Sequence, residues 1–398
     1  MGLLSSTSLR LSRVAFDLAQ ELEFSVIRPS SSYRRKGSFS IIELLVAMAV
    51  LALLVLMAAT ITSSAFSLWR STVGSIKMFA AARTAFSIVG TRLGQTTLNP
   101  YLDYYDVNWN RRSSSLTNLL AFVPSHYGRA SDLHFYSGPA TNALGTPAGS
   151  QQGHGIFFFA PLGYSNNTAA YADVPSLLNA IGYYVEWGSD LNYRPALLGS
   201  SFPQKYRYRL IENILPTQNF TYYTAFTTSP STYANYMVWI NTGLENNTST
   251  SGKNILADNV IALIVRPEMS QQDATTVFGS GANPWNLTTN YLYDSRTLVG
   301  EQRPAISTSN PSALWYAQLP PLLRVVMVAV DEPSARRLTT GTTPPAAFQL
   351  NSTWFQNPAN LDADLNSLSQ QLSGAHVSFQ IFNQLIPIRG AEFSTQSE

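Results

Sequence analysis

The sequence predicts an α+β protein in which a long N-terminal helix, its first half membrane-spanning, packs on a large antiparallel β-rich head domain. Three observations predict it. An uncharged, mostly apolar run extends from Leu44 to Trp69, and no proline interrupts the chain between Phe39 and Asn99. Beyond that, residues 101–398 break into short apolar bursts separated by Gly, Pro, Asn and Ser clusters, the punctuation of strands and turns.

The apolar run is long enough to cross a bilayer once, since roughly 20 residues suffice for a helix, and the span is placed at about 41–62. Arg34, Arg35 and Lys36 precede it, and the positive-inside rule leaves that flank in the cytoplasm and exports everything after Trp69. Ala47, Ala49, Ala52, Ala58 and Ala59 interleave with Leu and Val, so neighbouring helices can approach closely. The helix is expected to continue to Leu98, with Val73, Ile76, Phe79, Phe86, Val89 and Leu93 forming a stripe at three- and four-residue steps. Lys77, Arg83 and Arg92 lie off that stripe, and Pro100 ends the helix.

One charge stands at the head of the span. Glu43 follows Ser38-Phe39-Ser40-Ile41-Ile42, and a carboxylate there costs up to about 2.5 to 3.5 kcal/mol, less near the interface, unless a cation pairs with it. Basic residues, a Gly, a Phe, a small polar residue, two aliphatics and a Glu ahead of a long apolar helix resemble the class III signal of type IV prepilins and of the pseudopilins of type II secretion. That resemblance implies a leader peptide at 1–38, a helix at 39–98 and an exported head at 99–398. It also implies cleavage by a prepilin peptidase, methylation of the new amine on Phe39, and a Glu43 that meets the amine of a neighbouring subunit. Here Ser38 rather than Gly37 precedes Phe39. Cleavage after Ser38 makes Glu43 the fifth mature residue and cleavage after Gly37 makes it the sixth; register at the carboxylate favours the first.

In the head, strands are expected at Asp132–Tyr136, Ile156–Ala160, Tyr183–Trp187, Tyr206–Ile211, Val260–Val265, Leu323–Val330 and Val377–Ile381. Tyr206-Arg207-Tyr208-Arg209 alternates as a strand with one wet face would. Val325-Val326-Met327-Val328 does not alternate, which predicts burial on both faces. Short helices are expected at Pro175–Ile181 and Ala363–Leu372.

Composition argues against catalysis and bulk-charge binding. Only 12% of residues are charged, cysteine is absent, and the formal net charge is +2. Residues 1–38 hold six Lys or Arg and three Asp or Glu, which leaves residues 39–398 at about −1 and gives no basic footprint for nucleic acid. The four histidines, His126, His134, His154 and His376, are scattered and accompany no metal-protease, nucleophile-elbow or phosphate-loop motif. Gly279-Ser280-Gly281 lacks the Lys of a phosphate loop and reads as a loop. No catalytic residue, metal site or cofactor is therefore expected. The acidic pairs Asp103 with Asp106 and Asp362 with Asp364 are candidate calcium ligands, as in some secretion pseudopilins, but neither has EF-hand spacing.

A second resemblance covers most of residues 39–332. Phe79-Ala80-Ala81-Ala82-Arg83-Thr84-Ala85-Phe86, Phe157-Phe158-Phe159-Ala160-Pro161-Leu162-Gly163-Tyr164, Leu256-Ala257-Asp258-Asn259-Val260-Ile261 and Leu319-Pro320-Pro321-Leu322 are similar to protein C of the Verru_Chthon cassette. That family occurs in Verrucomicrobia beside other proteins with prepilin-type N-termini. The architecture also resembles, more loosely, the minor pseudopilin J of type II secretion. These likenesses imply a minor pseudopilin-like subunit of the inner membrane, with sister subunits and secreted cargo as partners. The alternative is a surface adhesin or minor pilin whose head binds polysaccharide or DNA, with Tyr104, Tyr105, Trp109, Tyr222, Tyr223 and Trp239 as candidates to stack on sugars.

Overall fold

The computed structural model describes residues 40–107, 122–145, 150–165, 176–195, 202–219, 252–296 and 311–395, with residues 169, 174, 197, 237, 239 and 240. Residues 1–39, which hold the expected leader with Gly37, Ser38 and Phe39, and the aromatic residues Trp109, Tyr222 and Tyr223, lie outside the described residues. The chain divides into two compact units, Met1–Phe66 and Ser67–Glu398. Helix α1, Ile41–Leu93, contributes to both.

In the first unit, α1 is exposed at every described position, and Leu45, Leu51 and Leu56 are each more than half exposed. It is the one helix among the described residues long and apolar enough to span a membrane. Its hydroxyls are satisfied internally: Thr60 Oγ1 donates to the Met57 carbonyl at 2.8 Å and Thr62 Oγ1 to that of Ala58 at 2.7 Å. In lipid, where no water competes, this removes the cost of carrying them.

In the second unit, the remainder of α1 becomes amphipathic because its apolar residues recur at helical spacing. Ala82, Ala85, Phe86, Val89 and Leu93 are buried, whereas Ile76, expected on the same stripe, is exposed. Phe86 packs on Phe382 with ring centroids 5.8 Å apart. The helix ends at Leu93 rather than Leu98. Gly94 has little helical preference, Gln95 N–H bonds the Arg92 carbonyl in a tightened last turn, and Thr97 then bridges to Phe159.

The head is a six-stranded antiparallel sheet, a three-stranded one and a two-stranded ribbon. The large sheet has the order β7-β6-β5-β4-β3-β9, with β3 at Tyr136–Pro139, β4 at Gln151–Pro161, β5 at Leu178–Ser189, β6 at Tyr206–Leu215, β7 at Lys253–Asp258 and β9 at Tyr293–Asp294. The small sheet has the order β11-β10-β8, from Phe379–Pro387, Leu322–Val330 and Val260–Glu268. Strands β1, Tyr101–Tyr105, and β2, His126–Ala130, form the ribbon. The chain passes from the large sheet to the small one at Asn259, whose φ of 56° is a left-handed conformation that Asn tolerates better than most residues.

One apolar cluster joins the large and small sheets to α1. Phe157, Phe158 and Phe159 on β4, with Tyr183 and Tyr184 on β5, are buried on both faces. Strand β10 lies between two partners, so Val325 to Val328 are all buried, as their lack of alternation predicts. Among the described residues, four further α-helices lie in the head: α2, Ala140–Leu144; α3, Gln271–Phe278; α4, Glu332–Leu338; and α5, Leu361–Gly374. Helix α5 buries Leu361, Leu365, Leu368 and Leu372, one face at steps of four, three and four.

Several expectations are corrected. The segment expected to be helical at 175–181 enters β5 at Leu178, where pairing with both β4 and β6 outweighs local preference. The strand expected from Asp132 starts at Tyr136, and the one expected from Val377 starts at Phe379. The face of β6 carrying Arg207 and Arg209 is not wet. Both side chains are buried, Arg207 against Glu332 at 3.2 Å and Arg209 against Asp258 at 2.8 Å.

Candidate functional site

The start of α1 is built by a serine. Ser40 Oγ accepts the Ile42 N–H at 3.3 Å, and the Ser40 carbonyl accepts those of Glu43 and Leu44 at 3.0 and 3.2 Å. Glu43 therefore stands in the first turn, where the partial positive charge of the free amides favours a carboxylate. It is exposed and forms no ion pair among the described residues. Ser40 enters the motif only as its small polar residue, although a Ser three residues before a Glu is itself a helix-start signature.

Towards the other end of α1, three polar contacts fix the helix to the head. Ser75 Oγ donates to Asp331 Oδ2 at 3.1 Å, and Met78 Sδ lies 3.9 Å from Asn259 Nδ2. Arg92 pairs with Glu212 on β6 and lies 3.3 Å from the Tyr183 hydroxyl, which itself donates to Glu212 at 2.7 Å. Burial beside that carboxylate pushes the Tyr183 phenol well above its ordinary range. Residues of α1, β5 and β6 thus meet in one charged network at the rim of the core.

The histidines are part of the scaffold. The His134 ring is fully buried: Trp239 Nε1 donates to its Nδ1 at 3.0 Å, which leaves the Nε2 proton for Asp294 at 2.7 Å. His154 is buried on β4 with Tyr291 against its ring, and Val265 N–H donates to its Nδ1 at 3.1 Å. Burial lowers its pKa to about 4. Neither ring has a face open to a substrate. His376 follows α5 at a φ of 54°, where its carbonyl accepts from Arg337, and His126 sits on the ribbon.

One member of each acidic pair accepts a backbone N–H. Asp103 Oδ1 accepts the Tyr104 N–H, and Asp364 Oδ2 accepts that of Phe355 at 2.8 Å. No group of three or more His, Asp or Glu able to hold a metal occurs among the described residues. The aromatic candidates part company. Tyr105 and Trp239 are core residues, while Tyr104 is half exposed beside Tyr127 on the ribbon.

Residues 33–59 match the prokaryotic N-terminal methylation motif. The match takes in the basic flank, Phe39, Glu43 and the exposed apolar part of α1, and it ends before the head. No curated protein and no solved structure matches the chain. The N-terminus is thus of the prepilin type, on a long apolar helix followed by a mostly antiparallel β head. This architecture fits a pilin-like subunit anchored in a membrane.

Proposed function

We propose that this chain is a minor pseudopilin-like subunit of a type II secretion or type IV pilus-like filament, close to the Verru_Chthon cassette proteins that its head resembles. It is made as a prepilin whose leader, ending at Ser38, is removed by a prepilin peptidase on the cytoplasmic face. Cleavage falls between Ser38 and Phe39, Phe39 is N-methylated, and the subunit is drawn from the inner membrane into a filament or its tip, with the head on the periplasmic side. No cofactor takes part. The head offers contacts to sister subunits and to cargo.

The observation that carries this reading is the methylation motif in register with a bare apolar helix. An apolar helix surface of this length is costly in water and favourable in lipid or among like helices. The partial positive charge of the helix start favours the carboxylate in its first turn, and a neighbour's amine would pair with it.

The test is co-expression with a prepilin peptidase, followed by mass spectrometry of the mature N-terminus. A methylated Phe39 is expected. Recovery of the intact chain, or of a fragment cut beyond Glu43, overturns the reading, and a fragment beginning at Ser38 moves the cleavage by one bond while keeping the class.

A further inference from the structure

The head carries an open cleft of about 490 Å³ where the start of β6 faces the end of α4 and the loop after it. Its size is in the range of small-ligand sites. Three cations line it, Lys205, Arg207 and Arg336, and none of the residues lining it is Asp or Glu. In a chain with so few charges this is a local concentration of one sign. Lys205 and Arg336 are exposed and make no side-chain ion pair among the described residues. Arg207 is different: it is buried, and its Nη1 and Nη2 are held by the Tyr206 carbonyl at 2.8 Å and by Glu332 at 3.2 Å. Its Nε is a buried donor with no partner. A second orphan in the wall, Thr339 Oγ1, is likewise buried without a hydrogen bond.

The walls are preformed. Trp187 Nε1 donates to the Thr342 carbonyl at 2.7 Å, tying the loop down, and the Trp187 ring backs that of Tyr206 at 6.5 Å. Tyr206 is partly exposed and offers an aromatic surface, and Thr339, Thr340 and Thr342 bring hydroxyls to the same cleft. The helix that ends here does so with its C-terminus, through Arg336. No helix N-terminus, the usual cradle for a phosphate dianion, therefore comes from α4.

We infer that this cleft binds a carboxylated saccharide, with Lys205 and Arg336 pairing the carboxylate, Tyr206 stacking on the sugar ring and the threonines bonding its hydroxyls. Charge selects the anion, while the aromatic ring and hydroxyl wall select a sugar over a bare ion.

The test is isothermal titration of the full chain in detergent with oligogalacturonides. Three comparisons accompany it: the same oligomers with their carboxylates methyl-esterified, polyphosphate of matched charge, and a Lys205→Ala/Arg336→Ala variant. Saturable binding is expected, weakened about tenfold or more by esterification and by the double substitution, and weakened further by added salt. Tyr206→Ala loses affinity and Tyr206→Phe retains it. Both cations are exposed, so the variant's unfolding temperature should match the parent's; if it does not, Lys205→Gln and Arg336→Gln measured singly carry the same expectation. Absence of saturable binding, equal affinity in the charge variants, or polyphosphate binding as tightly as the oligogalacturonide overturns the assignment.

Discussion

Arg92, in the last turn of α1, is ion-paired with Glu212 in the middle of β6, and Tyr183 on β5 completes the contact through its hydroxyl. The carboxylate is almost fully buried, while the guanidinium side chain retains 28% exposure. That asymmetry decides what each substitution does. Arg92→Ala leaves a buried carboxylate with Tyr183 as its remaining side-chain donor and should cost about 2 to 3 kcal/mol, below the full penalty for a buried pair because Arg92 is part-exposed. Glu212→Gln keeps an acceptor for Tyr183 and lets Arg92 turn to solvent, so it should cost less, about 1 kcal/mol. Chemical unfolding of the full chain in detergent, followed by tryptophan fluorescence, measures both. A larger loss for Glu212→Gln would mean that Arg92, not Glu212, is the group the network exists to satisfy.

His154 gives the head a sensitivity to acid. Its folded pKa is lowered to about 4 by burial, against an ordinary value near 6.5. Below about pH 6.5 the unfolded chain takes up a proton that the folded chain refuses, so stability falls as pH drops from there to about 4 and the contribution is then fully lost. The total is on the order of 3 kcal/mol. Substituting His154 with Gln should lower stability at pH 7 and flatten its decline between pH 6.5 and 4, a comparison that unfolding curves at both ends of the window provide. An equally steep decline in the variant would place the acid sensitivity in other groups.

Gly153 marks the irregularity in β4 where pairing with β5 is interrupted between Gln152 and Ile156. Its φ is +71°, and a Cβ built there would lie 2.7 Å from the Leu263 carbonyl oxygen on β8. Both the conformation and the close approach of two backbones demand glycine. Gly153→Ala should therefore destabilise the head by about 1 to 3 kcal/mol. A shift of the unfolding midpoint within error of the parent would show that β4 and β8 separate freely at this point.

Much of this architecture was legible because it rests on local patterns. The span needs only uninterrupted apolar residues, the C-terminal half of α1 a helical period, and β10 a run without alternation. What escaped was set by partners distant in sequence. Arg207 and Arg209 look like a solvated strand face until Glu332 and Asp258, from α4 and the end of β7, arrive to neutralise them. Leu178 to Ile181 carry no strong local signal and become strand because β4 and β6 flank them. Ile76 follows the stripe's spacing but remains exposed. At the candidate site the motif was readable residue by residue, whereas the cleft beside Tyr206 joins β6 to a loop more than a hundred residues away and has no linear signature.

The last prediction concerns Glu43, the single carboxylate in an otherwise uncharged span. Replacing it with Leu removes a charge from the helix head, so membrane insertion should be unchanged or improved. The Ser40 cap is independent of the Glu43 side chain, since it uses the Ile42 amide, and α1 should still start at the same place. Leader removal should continue as well, because the basic flank and Phe39 are untouched. Assembly is where the loss should appear. In a filament the substitution deletes the acceptor for a neighbour's N-terminal amine and strands that cation in an apolar core, a penalty of about 3 to 5 kcal/mol for each contact broken. The measurement is the cross-linking yield of Glu43→Leu with co-expressed prepilin-type subunits, at membrane abundance equal to the parent's. A sharp fall with normal cleavage separates processing from polymerisation and assigns the pairing role to this carboxylate. Unchanged cross-linking would leave Glu43 as a helix-start charge and shift subunit association to the heads.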